Sequence, residues 1–569
     1  MTWSFEGSQG RESEKVMWDL VPFTRGKGLD LGCGGSKTFA HFIGVDNLKD
    51  TKLFGTPMQP DVVLETCEDL YLFASKSMDF VFSSHLLEHI EDTQKTLEEW
   101  WRVVKVGGHL CLYLPHKDLY PRVGTPEDKA EWNEWAKKFD TGDKKVPASA
   151  LKELAERRKA AGKLTVGEQY AGTPAGNQDH KHDFSPEDII EAMKKIGGWD
   201  LVANEVRDEE NEYSFFQVYR KLKSDKVRFS CNDPRPEKTC AVVRYGAYGD
   251  LIQATSVLPG LKAQGYHVTL FTVPRGYEAI RLDPHIDKVV LQDTDQVPPA
   301  ALGMFWAHLQ KRYDKFVNLS ESVEGTLLAM GNRIQGTWPT KLRHRMLDQN
   351  YLQFQAELAD VPFVPFHKFY ATNEERDWAR RQRASMAKTV IMWSLSGSSV
   401  HKSWPHMDTI FARMMLEYPD SNIITVGDDL SKLLEAGWEK EPRILKRAGV
   451  WTIRESMSMI EEVDLVVGPE TGVLNAAGFA RTPKVLFLSH SSNENLSRDW
   501  INVSAMTPVD TPCYPCHMMH YSFDKCTPGY MEIEGERQRV GALCQVNISP
   551  DRVWEQIKFW IERKELKAA

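Results

Sequence analysis

The residues with the clearest chemical meaning sit where glycines close short apolar runs. Asp30-Leu-Gly32-Cys-Gly34-Gly35 ends the run GLDLGC, and Asp46 ends the next one, HFIGVDN. Glycines at such a turn let the backbone bend sharply and let a ligand approach with no Cβ in the way. A carboxylate at the end of the second strand is placed to accept hydrogen bonds from both hydroxyls of a ribose. His85 and His89 follow a further apolar run, MDFVFSS, while His180 and His182 precede SPEDIIEAM. Imidazoles are suited to moving protons and to ligating metals, although two histidines alone make no metal site.

A second group of such residues lies beyond residue 240. Arg244-Tyr-Gly246-Ala-Tyr-Gly249-Asp250 stands at a strand-to-helix turn. There the free helix N–H groups and the macrodipole favour an anion. The spacing is GxxGD, which is not the GxGxxG of dinucleotide binding. Further on come VIMWSLSGSS, then His401-Lys402-Ser-Trp404-Pro405, and later Gly468-Pro-Glu470-Thr471-Gly472 opening a helix of small residues. Near the C-terminus, Cys513-Tyr-Pro-Cys516 is followed by Cys526 and Cys544, with His517 and His520 close by. Four thiols are enough for a tetrahedral structural zinc. A disulfide and free thiols remain open beside that reading, the latter being the rule in a reducing compartment.

These residues need elements to hold them. In the first part, GLDLGC, HFIGVDN, DVVLET, MDFVFSS and HLCLYLPH read as strands. Leu97, Trp101 and Val104 recur at i, i+4 and i+7, which predicts a helix ended by Gly107 and Gly108. Near-continuous apolar strands alternating with helices imply a parallel sheet covered on both faces. WDLVANEV and SFFQVYRKL supply a terminal pair. The stretch 117–179, rich in Lys, Glu, Asp and Gly, interrupts this pattern. It reads as an inserted helical segment or lid, or equally as a solvated surface insertion. Residues 223–239 are polar with two prolines and read as a linker. A weaker break near 380–388 divides the remainder into 240–385 and 386–569.

A chain of 569 residues should form about three or four folding units. Its net charge of -9 argues against coating nucleic acid and disfavours duplex DNA, leaving a local basic groove open. No apolar run reaches the roughly 20 residues of a membrane span. MTWSFEGSQGRESEK carries no apolar secretory stretch, so a cytoplasmic protein is expected. Cys33, Cys67 and Cys111 lie in apolar surroundings and read as small core residues.

The DxGCGxG turn, Asp46, and SSHLLEHIEDTQKTLEEWWRVVKVGGHL together resemble the class I S-adenosylmethionine (SAM)-dependent methyltransferases. The resemblance covers nearly all of 1–222 apart from the insertion, and implies a Rossmann-like domain. It implies that Asp30, Gly32, Gly34 and Asp46 line the SAM site, with His85 and His89 near the transferred methyl. In that group a histidine before the last helix can face the active site, which brings in His182. The family often has an aspartate after the third strand for the adenine. Here Thr66 takes its place, with Glu68 and Asp69 just beyond as candidates.

From 240 to about 557 the chain resembles the ADP-heptose:lipopolysaccharide heptosyltransferase family, whose GT-B fold joins two Rossmann-like halves. The resemblance rests on R…GD at the first turn, K-x-W-P, and the turn at Glu470. It implies Asp250 as the base that deprotonates an acceptor hydroxyl. It also implies that Lys402 contacts the donor phosphates, and that Glu470-Thr471-Gly472 offers backbone N–H groups to the diphosphate. Glu470 and Asn475 stand where the family usually has aspartate and often histidine, at positions expected to face the donor, so neither heptose nor ADP is assumed. The cysteine set resembles a pattern common in relatives of this family.

The expectation is a bifunctional transferase using SAM and a nucleotide-sugar, acting on a glycan, a glycosylated protein or a modified nucleobase. The alternative is an interaction protein whose transferase folds serve as scaffolds. The donor sugar, the acceptor and the oligomeric state are not written in these residues.

Overall fold

The structure is a computed structural model that describes residues 12–117, 181–321, 339–518 and 526–568. Positions 48–51, 54, 55, 58, 210, 211 and 295 are excepted, and 119, 157 and 160 are added. Nearly all of the 117–179 insertion therefore lies outside the described residues. The chain divides into two compact units, Met1–Arg235 with Gln292–Pro298, and Pro236–Leu291 with Pro299–Ala569.

The first unit is built on one eight-stranded sheet. Its strands are β1 (Gly28–Leu31), β2 (Ile43–Asp46), β3 (Val62–Val63), β4 (Met78–Ser84), β5 (Val104–Pro115), β6 (Trp199–Glu209), β7 (Glu212–Lys221) and β8 (Val227–Arg228). The order across the sheet is β8-β6-β7-β5-β4-β1-β2-β3. Strands β1 to β5 pair in parallel, and all four residues of β1 are buried, as a strand covered on both faces must be. The pairs β5–β7 and β6–β7 are antiparallel. The sheet is thus mixed rather than wholly parallel: a short connection between β6 and β7 permits only a hairpin.

Helix α1 (Thr93–Val103) starts at Asp92, whose carboxylate accepts from the Lys95 amide, and buries Leu97, Trp100 and Trp101. It does not run on to Gly107 and Gly108. Val104 already belongs to β5, and the pairing of β4 with β5 shifts register between Met78 and Phe80. The glycines sit inside that irregularity, where a Cβ on Gly108 would lie 2.5 Å from the Asp79 carbonyl oxygen. Gly108 serves a close backbone approach and Gly107 a φ of +84°, and neither ends the helix. Helix α2 (Pro186–Ile196) opens with a reciprocal capping box between Ser185 and Asp188.

The second unit contains two parallel sheets, which is the GT-B expectation in outline. One has the order β11-β10-β9-β12, from β9 (Thr239–Val243), β10 (His267–Thr272), β11 (Lys288–Leu291) and β12 (Lys315–Asn318). The other, β15-β14-β13-β16-β17-β18, comprises β13 (Thr389–Ser394), β14 (Ser421–Val426), β15 (Ile444–Lys446), β16 (Leu465–Pro469), β17 (Lys484–Phe487) and β18 (Val503–Met506). Helices α3 (Tyr248–Ala254) and α4 (Gly472–Ala477) follow β9 and β16. Among the described residues no helix is long and apolar enough to cross a membrane.

Candidate active sites

In the first unit the sites implied by sequence converge on the carboxyl edge of β1, β2 and β4. Gly32 and Gly34 adopt φ of +72° and +57°, a region that side chains with a Cβ rarely enter. The Leu86 side chain lies 3.0 to 3.2 Å from where a Gly32 Cβ would stand. Asp30 is buried, and its Oδ2 accepts from the Thr38 amide at 2.8 Å. Burial raises its pKa to about 6 against the pull of that bond. Asp46 accepts from the Gly34 amide at 2.8 Å through Oδ2 and from the Asn47 amide at 2.7 Å through Oδ1. Burial raises its pKa too, against those two bonds. Both acids therefore shape the turn, while Asp46 keeps further lone pairs. Thr66 is exposed and donates its hydroxyl to Glu68, and Asp69 is exposed beside them.

His85 sits immediately after β4 with φ of +49°. Its Nε2 hydrogen-bonds with the Ser214 hydroxyl at 3.0 Å and lies 3.8 Å from Glu12 Oε2; its Nδ1 is 3.7 Å from Glu88 Oε1. His89 Nε2 is 4.0 Å from the same Glu88 oxygen. His182 is engaged with the Glu91 carbonyl at 2.9 Å and stacks on Phe184. His180 lies outside the described residues. Sequence reasoning missed Glu88, a fully buried carboxyl whose pKa burial raises to about 8. Its only signal was its place between His85 and His89 in HLLEHI.

In the second unit, Asp250 is buried and caps its own helix, Oδ2 accepting from the Ala247 amide at 2.6 Å. Its Oδ1 stands 3.4 Å from Nη2 of Arg244, a guanidinium with no exposure at all. A Cβ on Gly246 would lie 2.2 Å from the Asp250 carboxylate, so that glycine makes room for the pair. Asn475 accepts from Gln253 Nε2 at 2.6 Å and donates to the Thr471 carbonyl at 2.9 Å, joining α3 to α4. The Thr471 hydroxyl bonds with that of Ser394 at 2.9 Å. Lys402 is buried with its chain laid over Gly397, whose added Cβ would lie 2.6 Å from Lys402 Cδ.

Glu470 differs from its expected orientation toward a donor. Its side chain is buried and turned inward, with Oε1 accepting from the Ser489 and Ser491 amides at 2.7 and 3.3 Å and Oε2 paired with His490 Nδ1. Burial would raise its pKa, but His490 and Lys402 outweigh that and hold it below the usual range. The reason lies in chain geometry: the loop after β17 passes directly beneath the turn, so the carboxylate meets two backbone donors there.

The cysteines near the C-terminus are all free thiols. Thiolates at Cys513, Cys516 and Cys526 would each oppose ionisation of Cys544. Burial raises the pKa of Cys516 to about 12, and those of Cys526 and Cys544 also rise. Among the described residues, however, no group of three or more His, Cys, Asp or Glu is placed to hold a metal ion. His517 points elsewhere, with Nε2 3.3 Å from Asp348, and His520 lies outside the described residues. The expected zinc set does not fit the described side chains as they stand.

A family model described as a methyltransferase domain matches residues 29–112. An uncharacterized protein of Methanocaldococcus jannaschii is 30% identical over 134 residues, which are 23% of this chain. The chain spans 64% of the length of that curated relative. Among solved structures, the E. coli ADP-heptose lipopolysaccharide heptosyltransferase II is similar over 58% of this chain and 99% of its own, at 14% identity and a TM-score of 0.40. A SAM-dependent methyltransferase of Thermotoga maritima is similar over 37% of this chain and 88% of its own, at 17% identity and a TM-score of 0.22. The methyltransferase resemblance read from the sequence is borne out over residues 29–112. At such identities and scores the solved structures leave the chemistry to the sites themselves.

Proposed function

We propose that this is a two-domain transferase that moves a methyl group from SAM in its first unit and a sugar from a nucleotide-sugar in its second. The observation that carries the reading is the glycine turn after β1, braced by Asp30 and Asp46 and adjoined by His85. Asp46 would hold the ribose, Gly32 and Gly34 would let the cofactor approach the backbone, and Glu68 or Asp69 would meet the adenine. SAM supplies an electrophilic methyl on a sulfonium; the chain supplies alignment and a base, for which His85, His89 and His182 are the candidates.

In the second unit Lys402, Thr471, Gly472 and Asn475 would meet the donor, with Lys402 answering the phosphate charge. Asp250 would act as base on the acceptor. The acceptor class is a glycan, a glycosylated protein or a modified nucleobase, and covalent linkage of the units favours one acceptor for both reactions. A cytoplasmic location suits both co-substrates. One observation favours a second reading, in which the second unit only binds: Asp250 is already engaged by Arg244 and by the Ala247 amide.

Ligand-linked stabilisation tests both. S-adenosylhomocysteine at a hundred times its dissociation constant should stabilise the first unit by about 2.7 kcal/mol. No shift with it or with SAM removes the methyltransferase reading. A panel of nucleotide-sugars, assayed for thermal shift and for hydrolysis, tests the second unit. An Asp250→Ala variant that still transfers sugar at the parent rate removes Asp250 as the base.

A further inference from the structure

Among the titratable groups near the glycine turn, one lies deeper than catalysis by alignment requires. Glu88 has no exposed surface, and its main chain is fixed because its carbonyl accepts the amides of both Lys181 and His182, at 2.8 and 3.1 Å. Its carboxyl faces His85 at 3.7 Å and His89 at 4.0 Å. A buried carboxyl costs several kcal/mol unless it is neutral or paired, so its environment decides where a proton resides. His85 also faces Glu12 at 3.8 Å, the Ser214 hydroxyl, and the rings of Tyr113 and Tyr213.

The backbone at His85 supplies an independent observation. A φ of +49° is uncommon for a residue with a Cβ and has to be held by its surroundings. It sets the ring against Tyr113 and Tyr213, with centroids at 5.3 and 6.1 Å. Position completes the case. In the β1–β4 register Ser83 lies opposite Leu31, which brings Ser84 level with Gly32 and His85 level with Cys33, and Leu86 covers the Gly32 turn. The pair therefore adjoins the turn assigned to SAM.

We propose that His85 and Glu88 work as one imidazole–carboxyl pair in methyl transfer, His85 accepting the proton of the acceptor and Glu88 positioning the ring and stabilising its charged form. This rests on the methyltransferase reading of the first unit. As the acceptor nitrogen or oxygen bonds to the methyl carbon, the carbon–sulfur bond breaks and sulfur keeps its electron pair as a neutral thioether. The acceptor's N–H or O–H proton passes to the imidazole, so one positive charge moves from sulfonium to imidazolium. The acceptor class is accordingly an amine or a hydroxyl. Burial and the Glu12 charge raise the pKa of Glu88 to about 8, while an imidazolium 3.7 Å away favours its carboxylate, so the two charged forms stabilise each other.

The test uses the full chain with isotopically labelled histidine, and assigns His85 by His85→Gln. In Glu88→Gln the His85 ring should titrate lower than in the parent by about one pH unit or more, the usual effect of losing a nearby carboxylate. Glu88→Asp should fall between the two and serves if the amide variant does not fold. An unchanged midpoint overturns the pairing. Calorimetry with S-adenosylhomocysteine separates the two layers: absence of binding by the parent chain defeats the methyltransferase reading, whatever the ring titrates at. With binding intact, release of S-adenosylhomocysteine is followed over a panel of glucosamine, catechol and imidazole. Glu88→Gln should lower kcat, leave the KM for SAM unchanged, and move the acid limb of the pH–kcat profile downward. An unmoved limb, or methylation of thiol acceptors alone, overturns the proposal.

Discussion

Gly472 opens α4 where it meets α3, and Gly472→Ala measures how closely the two helices touch. An added Cβ would lie 2.7 Å from Tyr248 Cβ, against the roughly 3.5–4.0 Å of a relaxed carbon contact. Tyr248 Cβ is fixed to its backbone and cannot rotate away, so the helices must separate by about 1 Å. Overpacking of that kind costs about 1–3 kcal/mol. The gain from replacing a helical glycine is about 0.5–1 kcal/mol, and at the first helical residue it falls at the low end. The net expectation is a loss of about 1–2 kcal/mol, or a Tm lower by roughly 2–8 °C.

Gly303→Ala provides the control, because nothing lies within 4 Å of its added Cβ; it should be neutral or slightly stabilising. The assay is thermal unfolding of the full chain followed by tryptophan fluorescence, with both variants beside the parent. A Gly472→Ala chain as stable as Gly303→Ala refutes the reasoning, since it means that α3 and α4 are not in contact in solution. Gly249→Ala refines the measurement. Its Cβ would lie 2.8 Å from Asn475 Nδ2, which can yield only by giving up its bond to the Thr471 carbonyl, so a loss of similar size is expected.

Asp30 carries a folded pKa of about 6 against 3.8, so the native state holds a proton that the unfolded chain has released. Stability from this group is present below pH 3.8 and is lost as pH rises through 6, by about 3 kcal/mol relative to Asp30→Asn. Denaturant unfolding of both proteins from pH 3.5 to 7 checks this, and parallel curves contradict it. Lys484 is fully buried and donates to the carbonyls of Ala477, Gly478, Ala480 and Ile501. Lys484→Met strands those acceptors beneath α4 and should cost about 3 kcal/mol or more, read as a lower Tm. Glu470→Gln removes the carboxylate that meets His490 and one of the acceptor oxygens of the turn. It should weaken nucleotide-sugar binding while leaving S-adenosylhomocysteine affinity unchanged, and calorimetry with each ligand separates the two effects.

Local pattern carried the sequence reading where neighbours along the chain decide the structure. The glycine turn after β1 and the aspartate ending β2 were legible because strand, turn and carboxylate follow one another directly. Gly107 and Gly108 were not, because what forbids a Cβ at Gly108 is the Asp79 carbonyl on the neighbouring strand. The direction of β6 and β7 was equally hidden, since their apolar patterns fit parallel and antiparallel pairing alike. Glu88 reads as the polar member of an amphipathic turn until Lys181 and His182 close over it from the far side of the insertion. Glu470 could not be oriented without the loop after β17 that supplies its donors.

Four of the acids singled out as ligand contacts share one arrangement. Asp30 accepts from Thr38, Asp46 from Gly34, Asp250 from Ala247, and Glu470 from Ser489 and Ser491, in each case from a backbone amide. A carboxylate so engaged first determines the shape of its loop and only then, through its remaining lone pairs, meets a ligand. The charge available to chemistry therefore comes from the basic side chains set beside these loops, His85 in one unit and Lys402 in the other. An amide in place of Asp46 can accept through only one of its two end atoms, leaving the Gly34 or the Asn47 amide without its acceptor. Ligand affinity and loop order should then fall together. An acid that touched only the ligand would lose affinity and keep the loop.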